Sequence, residues 1–397
     1  METGRKRQFA GLTRDTFLLA LASLFGDIST EMLYPILPVF LTQVLLAPAS
    51  VVGIVEGVAT ATQNIVQAVS GWLADKLRRY KRIALVGYGL AAVAKPLMGF
   101  ASVWPQVLGA RFLDRLGSGT RSAPRDALIA GSADERHRGT AFGLEGFGDN
   151  LGAFVGPLLA VGLLFAVHAQ IRLIFLLAFI PGALAVVMIA LVAAKPAATQ
   201  PAQRDEPRGA LFAGLPPAYW TYIGVTAVFG IGNSTNAFLI LRAKQIGISL
   251  EVTILIYAGF NLVAALISYP AGRLSDALGR KGVLLFTFAV FAITYASFAI
   301  TSNAVVIGAA FVLYGLHSGM YRAVGKALAT DYTPPRLRAS GIGWYAATVG
   351  LSGLVASVVA GQLWTAVSPR AVFVYGLVFA VLGAILLMIL VRGAATE

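Results

Sequence analysis

Apolar runs long enough to form membrane-spanning helices follow one another along almost the whole chain. The hydrocarbon core of a bilayer is about 30 Å thick, and a helix needs about 20 residues to cross it. Counting the runs between polar interruptions predicts twelve spans, at residues 16–43, 49–74, 83–102, 105–130, 140–166, 172–194, 218–241, 252–275, 283–301, 305–330, 339–366 and 371–391. The sequence therefore predicts an all-α polytopic membrane protein.

The composition agrees with this class. The residues Ala, Val, Ile, Leu, Met, Phe, Trp, Tyr and Cys make up 57% of the chain, only 12% is charged, and the mean hydropathy is +0.77. In soluble proteins about a quarter of the residues are charged. The absence of cysteine excludes a disulfide framework and a thiolate metal site.

Lysine and arginine predict the orientation, because cytoplasmic loops carry an excess of both. With both termini in the cytoplasm, twenty of the 31 Lys and Arg residues fall on that side and four on the other, and seven lie within the spans. The basic N-terminal segment has no small-residue cleavage site, which indicates a cytoplasmic tail and not a signal peptide. We interpret the net charge of +13 as a topology signal, and expect no nucleic acid partner.

The longest polar interruption is rich in Pro, Ala and charge, a composition typical of linkers. It divides the chain into a six-helix bundle at 1–194, a cytoplasmic linker at 195–217 and a second six-helix bundle at 218–397. The two halves also repeat each other. Residues 119–143 align without gaps to 319–343, and 71–75 pair with 272–276. Parallel repeats across a central linker are typical of transporters.

Between the second and third spans the chain reads Gly-Trp-Leu-Ala-Asp-Lys-Leu-Arg-Arg at 71–79. Between the eighth and ninth it reads Gly-Arg-Leu-Ser-Asp-Ala-Leu-Gly-Arg-Lys at 272–281. Both resemble the loop signature Gly-x-x-x-Asp-Arg-x-Gly-Arg-Arg/Lys of the major facilitator superfamily, which the chain resembles over essentially its full length. The copies depart from that signature at Lys76, Arg78 and Ala277.

The resemblance implies two pseudo-symmetric six-helix bundles and secondary transport by alternating access. It also implies a conformational-gating role for this loop and its repeat, with a plain positive-inside cluster as the alternative. The residues concerned are Gly71, Asp75, Lys76, Arg79, Gly272, Asp276 and Arg280.

The fourth span carries six ionisable side chains, which is costly in lipid. They are Arg111, Asp114, Arg115, Arg121, Arg125 and Asp126. At about 100° per residue all six share an arc of roughly 140°. This charged face predicts one wall of a polar pathway, and the alternative is an Arg–Asp network that only locks helices together.

Carboxylates within the spans are candidates for proton coupling, since protonation removes the cost of burying their charge. Asp27 and Glu31 come first because they lie four residues apart, near mid-span. The full set is Asp27, Glu31, Asp149, Asp114, Glu56 and Glu145. For each of them, a fixed salt bridge with an arginine of the fourth span is the alternative.

Polar and aromatic side chains at mid-depth are candidates for a substrate cavity, with interhelical packing as the alternative for each. They are Tyr34, Gln63, Asn64, Arg111, Arg115, Arg121, Asn150, Asn233, Asn236, Asn261, His317, Tyr321, Arg322, Lys326 and Tyr345. In the tenth span Arg322 and Lys326 have no acid in a neighbouring span. Either Asp331 forms an ion pair with Lys326, or an anionic substrate group does.

No phosphate-binding loop, metalloenzyme motif or Gly-x-Ser-x-Gly element occurs in the sequence. We therefore expect no enzyme, no cofactor and no metal. The element Gly152-x-x-x-Gly156-Pro157 resembles one found in exporters of the superfamily, although ordinary helix packing also explains it.

The leading hypothesis is proton-coupled efflux of small amphipathic, drug-like compounds by a monomer in the plasma (inner) membrane. Its partners would be the substrate, protons and the lipid bilayer. Proton-coupled uptake of an organic anion is the first alternative. A non-transporting receptor or lipid-handling protein on the same scaffold is the second.

Overall fold

The apolar runs form long α-helices in the computed structural model of the protein, which describes residues 12–132, 138–166, 170–193, 214–334 and 337–391. The helices of these segments are α1 (Arg14–Glu31), α2 (Leu37–Val39), α3 (Ala49–Leu77), α4 (Tyr80–Phe100), α5 (Trp104–Ser132), α6 (Arg138–Ala166), α7 (Ile171–Leu177), α8 (Phe179–Leu191), α9 (Pro217–Gly232), α10 (Ala237–Gln245), α11 (Leu250–Leu278), α12 (Arg280–Ile300), α13 (Ala304–Asp331), α14 (Arg338–Ala366) and α15 (Pro369–Leu390). A π-helical turn, Phe40–Val44, follows α2 directly. The predicted all-α class is confirmed.

Ten helical stretches among the described residues are long and apolar enough to cross a membrane. They correspond to the predicted spans other than the first and the fourth. The predicted first and fourth spans contain α1 and α5, and each of these helices carries several charged residues. The predicted number of twelve spans stays a prediction.

Three predicted spans are broken in the structure. The first stops at Glu31, and Pro35 explains the break, since proline has no N–H and keeps the residue before it out of the helical conformation. The sixth is broken at Ala178, where Pro181 cannot donate to the carbonyl of Leu177. The seventh is broken between α9 and α10, at 233–236.

The chain divides into two units. The first unit comprises Met1–Ile36 and Thr62–Glu206, and the second comprises Leu37–Ala61 and Pro207–Glu397. In the first unit α1 packs on α6 and α8, and α4 packs on α5 and α8. In the second unit α13 packs on α11 and α12, and α15 packs on α9 and α12. The predicted boundary at 195–217 stays a prediction, because that linker lies outside the described residues up to position 213.

Two interhelical contacts recur about 200 residues apart, as the internal repeat predicts. Lys81 Nζ donates to the carbonyl of Ala190 over 2.8 Å, and Lys281 Nζ donates to that of Met388 over 2.9 Å. Likewise the Ser70 hydroxyl donates to the Gly119 carbonyl over 2.9 Å, and the Ser268 hydroxyl lies 3.5 Å from the Gly319 carbonyl. Each unit therefore contains the same packing arrangement.

The loop motif contains a left-handed residue in both copies. Gly279 ends α11 with φ +86°, and Arg78 takes φ +51° after α3. Arg78 stands where the family signature has glycine. The structure therefore shows why glycine is suited to this position, because a side chain there costs about 1–2 kcal/mol.

We expect Arg78→Gly to stabilise the protein by up to about 1 kcal/mol, since the relieved strain exceeds the extra chain entropy of glycine. Thermal unfolding of the purified protein in detergent measures the change. Arg79→Gly is the matched control, because it removes the same charge from a residue at φ −117°. An unfolding temperature for Arg78→Gly at or below that of Arg79→Gly contradicts the strain argument.

Candidate functional site

The carboxylate of Asp114, on α5, lies among three cations. Its Oδ1 is 2.9 Å from Lys95 Nζ, and its Oδ2 is 3.1 Å from Arg111 Nη1 and 3.5 Å from Arg115 Nε. The Lys95 and Asp114 side chains are only 2% and 1% exposed. Lys95 was not among the predicted site residues, although its position in an apolar span was a signal.

A close approach of α4 and α5 brings this cluster together. A Cβ atom on Gly117 would lie 2.6 Å from the backbone nitrogen of Ala91, and one on Gly87 would lie 2.7 Å from the Gly117 carbonyl oxygen. Only glycine allows the two backbones to approach this closely. One turn beyond Ala91, the ammonium of Lys95 therefore reaches Asp114.

Arg121 continues the polar face of α5 towards α1. Its Nη2 lies 3.4 Å from Asp27 Oδ1, and its guanidinium lies 4.3 Å from the centre of the Tyr88 ring. A side chain on Gly26 would collide with this guanidinium. The glycine therefore leaves room on α1 for the Arg121–Asp27 pair.

Arg125 joins α5 to α1 and α6. Its Nη1 lies 2.9 Å from Glu145 Oε1 and 3.6 Å from Asp149 Oδ1, and it donates to Ser23 Oγ over 3.0 Å. The Ser23 hydroxyl donates in turn to Glu145 over 2.9 Å. On its own helix Arg125 also lies 3.3 Å from Asp126, whose side chain is 46% exposed.

Glycines of α6 allow α1 to pack directly on its backbone. A Cβ atom on Gly152 would lie 2.6 Å from the Leu24 carbonyl oxygen and 2.9 Å from Asp27 Cβ. Gly156 packs in the same way against Ile28. The element that resembles one of exporters thus has a packing role here.

A cavity of about 230 Å³ lies inside the first unit between these helices. All ten residues that line it are polar or charged: Asp27, Thr30, Glu31, Gln63, Arg115, Ser118, Arg121, Ser122, Arg125 and Asp149. Three arginines therefore face three carboxylic acids. The Ser118 hydroxyl is buried and has no hydrogen-bond partner among the described residues.

The structure thus brings together Asp27, Glu31, Gln63, Arg115, Arg121 and Asp149 of the predicted sets. Thr30, Ser118, Ser122 and Arg125 line the cavity but were not predicted as proton or substrate residues. The spacing of the two serines along the sequence could have identified them. Residues 111, 115, 118, 122 and 125 follow one another at intervals of four and three, which is one helical face.

Other predicted residues of the first unit lie beside the cavity or away from it. Beside the cavity, Arg111 lies 5.8 Å from the centre of the Tyr34 ring. Asn64 is half-buried. Asn150 is exposed and donates to the carbonyl of Gly146 on its own helix, so this cavity does not include it.

The predicted aromatic and amide residues of the second unit are packed against one another. His317 Nδ1 lies 2.9 Å from the Thr287 carbonyl and therefore carries a proton, and its ring stacks on Tyr321 at 5.5 Å. Tyr345 stacks on Tyr222 at 6.2 Å. Asn233 and Asn236 accept hydrogen bonds from Tyr314 over 3.4 and 2.9 Å, and Asn261 is half-buried.

The charged residues predicted in this second unit are more dispersed. Arg322 and Lys326 are exposed on α13, and Asp331 lies 3.0 Å from Arg280. Glu56, on the part of α3 that belongs to this unit, is buried.

In the gating loop Lys76 and Arg79 are exposed, and Gly71 and Gly272 are half-buried. The side chains of Asp75 and Asp276 lie outside the described residues.

Comparison with known proteins decides the family. The family model of the Major Facilitator Superfamily matches residues 19–242 and 221–397. The chain belongs to the major facilitator superfamily. It is therefore an integral membrane protein and a secondary transporter of this type.

Two relatives are similar to most of this superfamily member. An uncharacterized MFS-type transporter of Methanocaldococcus jannaschii is 31% identical over 383 residues, covering 95% of both chains. A protein of Cupriavidus pinatubonensis named "Probable 4-methylmuconolactone transporter" is 29% identical over 369 residues, covering 86% of this chain and 83% of the relative.

Solved structures of the superfamily share the fold. A nucleoside transporter superposes with a TM-score of 0.80 at 14% identity, covering 96% of this chain and 100% of the other. A peptide transporter superposes with a TM-score of 0.79 at 15% identity, covering 97% of this chain and 95% of the other. At these identities the likeness establishes the fold alone.

We expect Asp114→Asn to destabilise the protein by about 3–5 kcal/mol, because it leaves buried cations without their shared carboxylate. Adding Lys95→Met should restore part of the loss, since it removes one of those cations. Thermal unfolding measures both variants. Asp126→Asn, which changes a half-exposed acid of the same helix, is the control, and equal stability of Asp114→Asn and Asp126→Asn would contradict the prediction.

Gly152→Ala should cost about 1–3 kcal/mol of stability, because its methyl group forces α1 and α6 apart. Gly162→Ala on the same helix is the control, since no atom lies within 4 Å of a Cβ atom placed there. That control should keep or raise the unfolding temperature, as alanine favours helix by about 1 kcal/mol. If both variants unfold at the same temperature, the packing role of Gly152 is wrong.

Proposed function

We propose that this protein is a proton-coupled transporter of a small polar organic solute, and that the cavity of the first unit is part of the solute pathway. The observation that carries the proposal is the lining of that cavity. Each of its ten residues offers a hydrogen bond or a charge.

This lining favours a polar solute over the amphipathic, drug-like compounds of the leading hypothesis. Pockets for drug-sized ligands are mostly apolar and have volumes of about 300–1,000 Å³. The cavity here is smaller, at about 230 Å³, and the described residues that line it are all polar or charged. The relative named for 4-methylmuconolactone supports an organic solute of modest size.

The exporter-like glycine element does not argue for efflux once its packing role is known. Its glycines are required by the contact between α1 and α6. The element therefore explains the close packing of α1 on α6 and gives no information on the direction of transport. We leave efflux and uptake as alternative outcomes of the flux measurement below.

The pair Asp27 and Asp149 is the proposed proton site. Both carboxyl groups line the cavity. Carboxylates that line one cavity repel each other, and a proton on one of them relieves the repulsion. Each also faces an arginine at a loose distance, 3.4 Å for Asp27 and 3.6 Å for Asp149.

We further propose a plasma-membrane protein with both termini in the cytoplasm. The distribution of lysine and arginine supports this orientation. A receptor or lipid-handling protein on the same scaffold would bind a ligand without moving it. The flux experiment below distinguishes this role from transport.

In proteoliposomes with an imposed pH gradient, the wild-type protein should move 4-methylmuconolactone, the probe solute, and the gradient should drive the flux. Asp27→Asn and Asp149→Asn should each reduce the gradient-driven flux at least about tenfold, since an amide cannot bind and release a proton as a carboxyl group does. Exchange of labelled for unlabelled solute without a gradient should persist.

Asp15→Asn is the control, because Asp15 lies on α1 outside the cavity and accepts a hydrogen bond from the backbone of Ala193. Glu31→Gln tests the third acid of the cavity in the same assay. A gradient response retained in both Asp27→Asn and Asp149→Asn removes this pair as the proton site. Binding without flux in the wild type favours the receptor.

A further inference from the structure

We propose that a pocket at one end of the second unit binds a small aromatic carboxylic acid in its ionised form. The pocket has a volume of about 400 Å³. Its lining residues all belong to the second unit, and they are Thr42, Gln43, Ala47, Pro48, Ala49, Leu241, Lys244, Gln245, Trp364 and Thr365. None of them lines the cavity of the first unit, so this site goes beyond the proposed function.

Helix packing gives the pocket a wall of fixed shape. The start of α3 lies directly on α14, because a Cβ atom on Gly361 would lie 2.8 Å from Ser50 Cα, and the Ser50 backbone N–H donates to Thr365 Oγ1 over 3.1 Å. On the same helix, the ring of Trp364 lies 5.8 Å from that of Phe238. A preformed wall favours binding, since little order has to be imposed when a ligand enters.

Part of this wall suits an aromatic ring. The indole of Trp364, the side chain of Leu241 and the segment 47–49 supply its apolar and aromatic surface. Pockets of about 300–1,000 Å³ that combine such a surface with a few polar groups are typical sites for small organic ligands. The body of the ligand is therefore expected to be apolar, in contrast to the solute of the first unit.

The charge on the wall comes from Lys244 alone among the ten lining residues. This lysine is half-buried near the end of α10, and no carboxylate of the described residues forms an ion pair with it. The acids Glu56 on α3 and Glu251 on α11 do not line the pocket. A carboxylate in the pocket would therefore meet an ammonium group and no acid on the wall.

The other polar groups of the wall divide into occupied and available donors. The hydroxyls of Thr42 and Thr365 already donate to backbone carbonyls, over 2.8 and 3.0 Å. Gln245 Oε1 accepts from Arg242 Nη1 over 2.9 Å, and a guanidinium has no acceptor, so this contact leaves the Gln245 amide N–H groups as donors. The N–H donors of Lys244 and Gln245 are those that a carboxylate requires.

Binding to the full-length protein in phosphatidylcholine nanodiscs tests the proposal, with 4-bromobenzoate as the probe and calorimetry as the measurement. The probe should bind about tenfold or more tightly than 4-bromobenzamide, which lacks the charge for a charge-assisted hydrogen bond. It should also bind about tenfold or more tightly than acetate, which carries the charge without an apolar ring to bury.

Lys244→Gln should weaken binding of 4-bromobenzoate by about tenfold or more, and Lys244→Arg by less, since arginine keeps the positive charge. Arg370→Gln is the matched control. It removes the same charge from an exposed residue of α15 that does not line the pocket, and it should bind like the wild type.

Trp364→Phe locates the bound probe, because a bromine atom quenches the fluorescence of an indole in contact with it. This variant should still bind 4-bromobenzoate, and it should lose most of the quenching that the probe causes in the wild type. The substitution keeps an aromatic ring, so the proposal stays testable where a Lys244 variant fails to fold.

An amide that binds as tightly as the acid, or no binding of the acid, would overturn the proposal. So would equal weakening by Lys244→Gln and Arg370→Gln, or full quenching in Trp364→Phe. A tenfold loss of affinity in nanodiscs that contain phosphatidylglycerol would assign the pocket to a lipid headgroup and overturn it as well. The proposed function fails separately, through flux that ignores the pH gradient.

Discussion

The buried carboxylate of Asp114 is the contact on which the charged face of α5 depends. A membrane-spanning helix with several arginines is costly unless their charges are matched inside the protein. Asp114 matches Lys95 and Arg111 at 2.9 and 3.1 Å, deep in the contact between α4 and α5. With these cations paired to Asp114 behind the helix surface, α5 presents Arg115, Arg121 and Arg125 to a cavity. The cluster is therefore what makes a polar cavity possible within an otherwise apolar bundle.

The helices and the polar face of α5 could be predicted from the sequence, because both depend on residues that are neighbours along one helix. The charged residues of this face divide between the wall of the cavity and a buried network. Arg115, Arg121 and Arg125 line the cavity, whereas Asp114 and Arg111 are buried with Lys95. The partner of Lys95 could not be predicted, since it depends on how closely Gly87 and Gly117 allow two helices to approach. The breaks in the first and seventh spans were not predicted either, because a count of apolar runs does not detect a break in the helical backbone.

The two units repeat each other in packing and differ in chemistry. The Ser70–Gly119 contact of the first unit recurs as Ser268–Gly319 in the second. At the same offset of 200 residues, however, Asp114 corresponds to Tyr314 and Arg121 to Tyr321. In the second unit those tyrosines belong to a buried aromatic cluster with His317. The repeat thus preserves the positions where helix backbones approach each other. The mid-helix side chains compared here are charged in the first unit and aromatic in the second.

The ion pairs of the first unit differ in length and in their position relative to the cavity. The short pairs, Lys95–Asp114 and Arg125–Glu145, are both 2.9 Å long, and neither Lys95, Asp114 nor Glu145 lines the cavity. Each arginine that does line it also has a longer contact, at 3.4 to 3.6 Å, with Asp27, Asp114 or Asp149. The Lys95–Asp114 pair lies away from the cavity and holds α4 against α5, whereas Arg125 combines a short pair with Glu145 and a longer contact with Asp149 on the cavity wall. Helix packing and the cavity wall are therefore built in part from the same arginine.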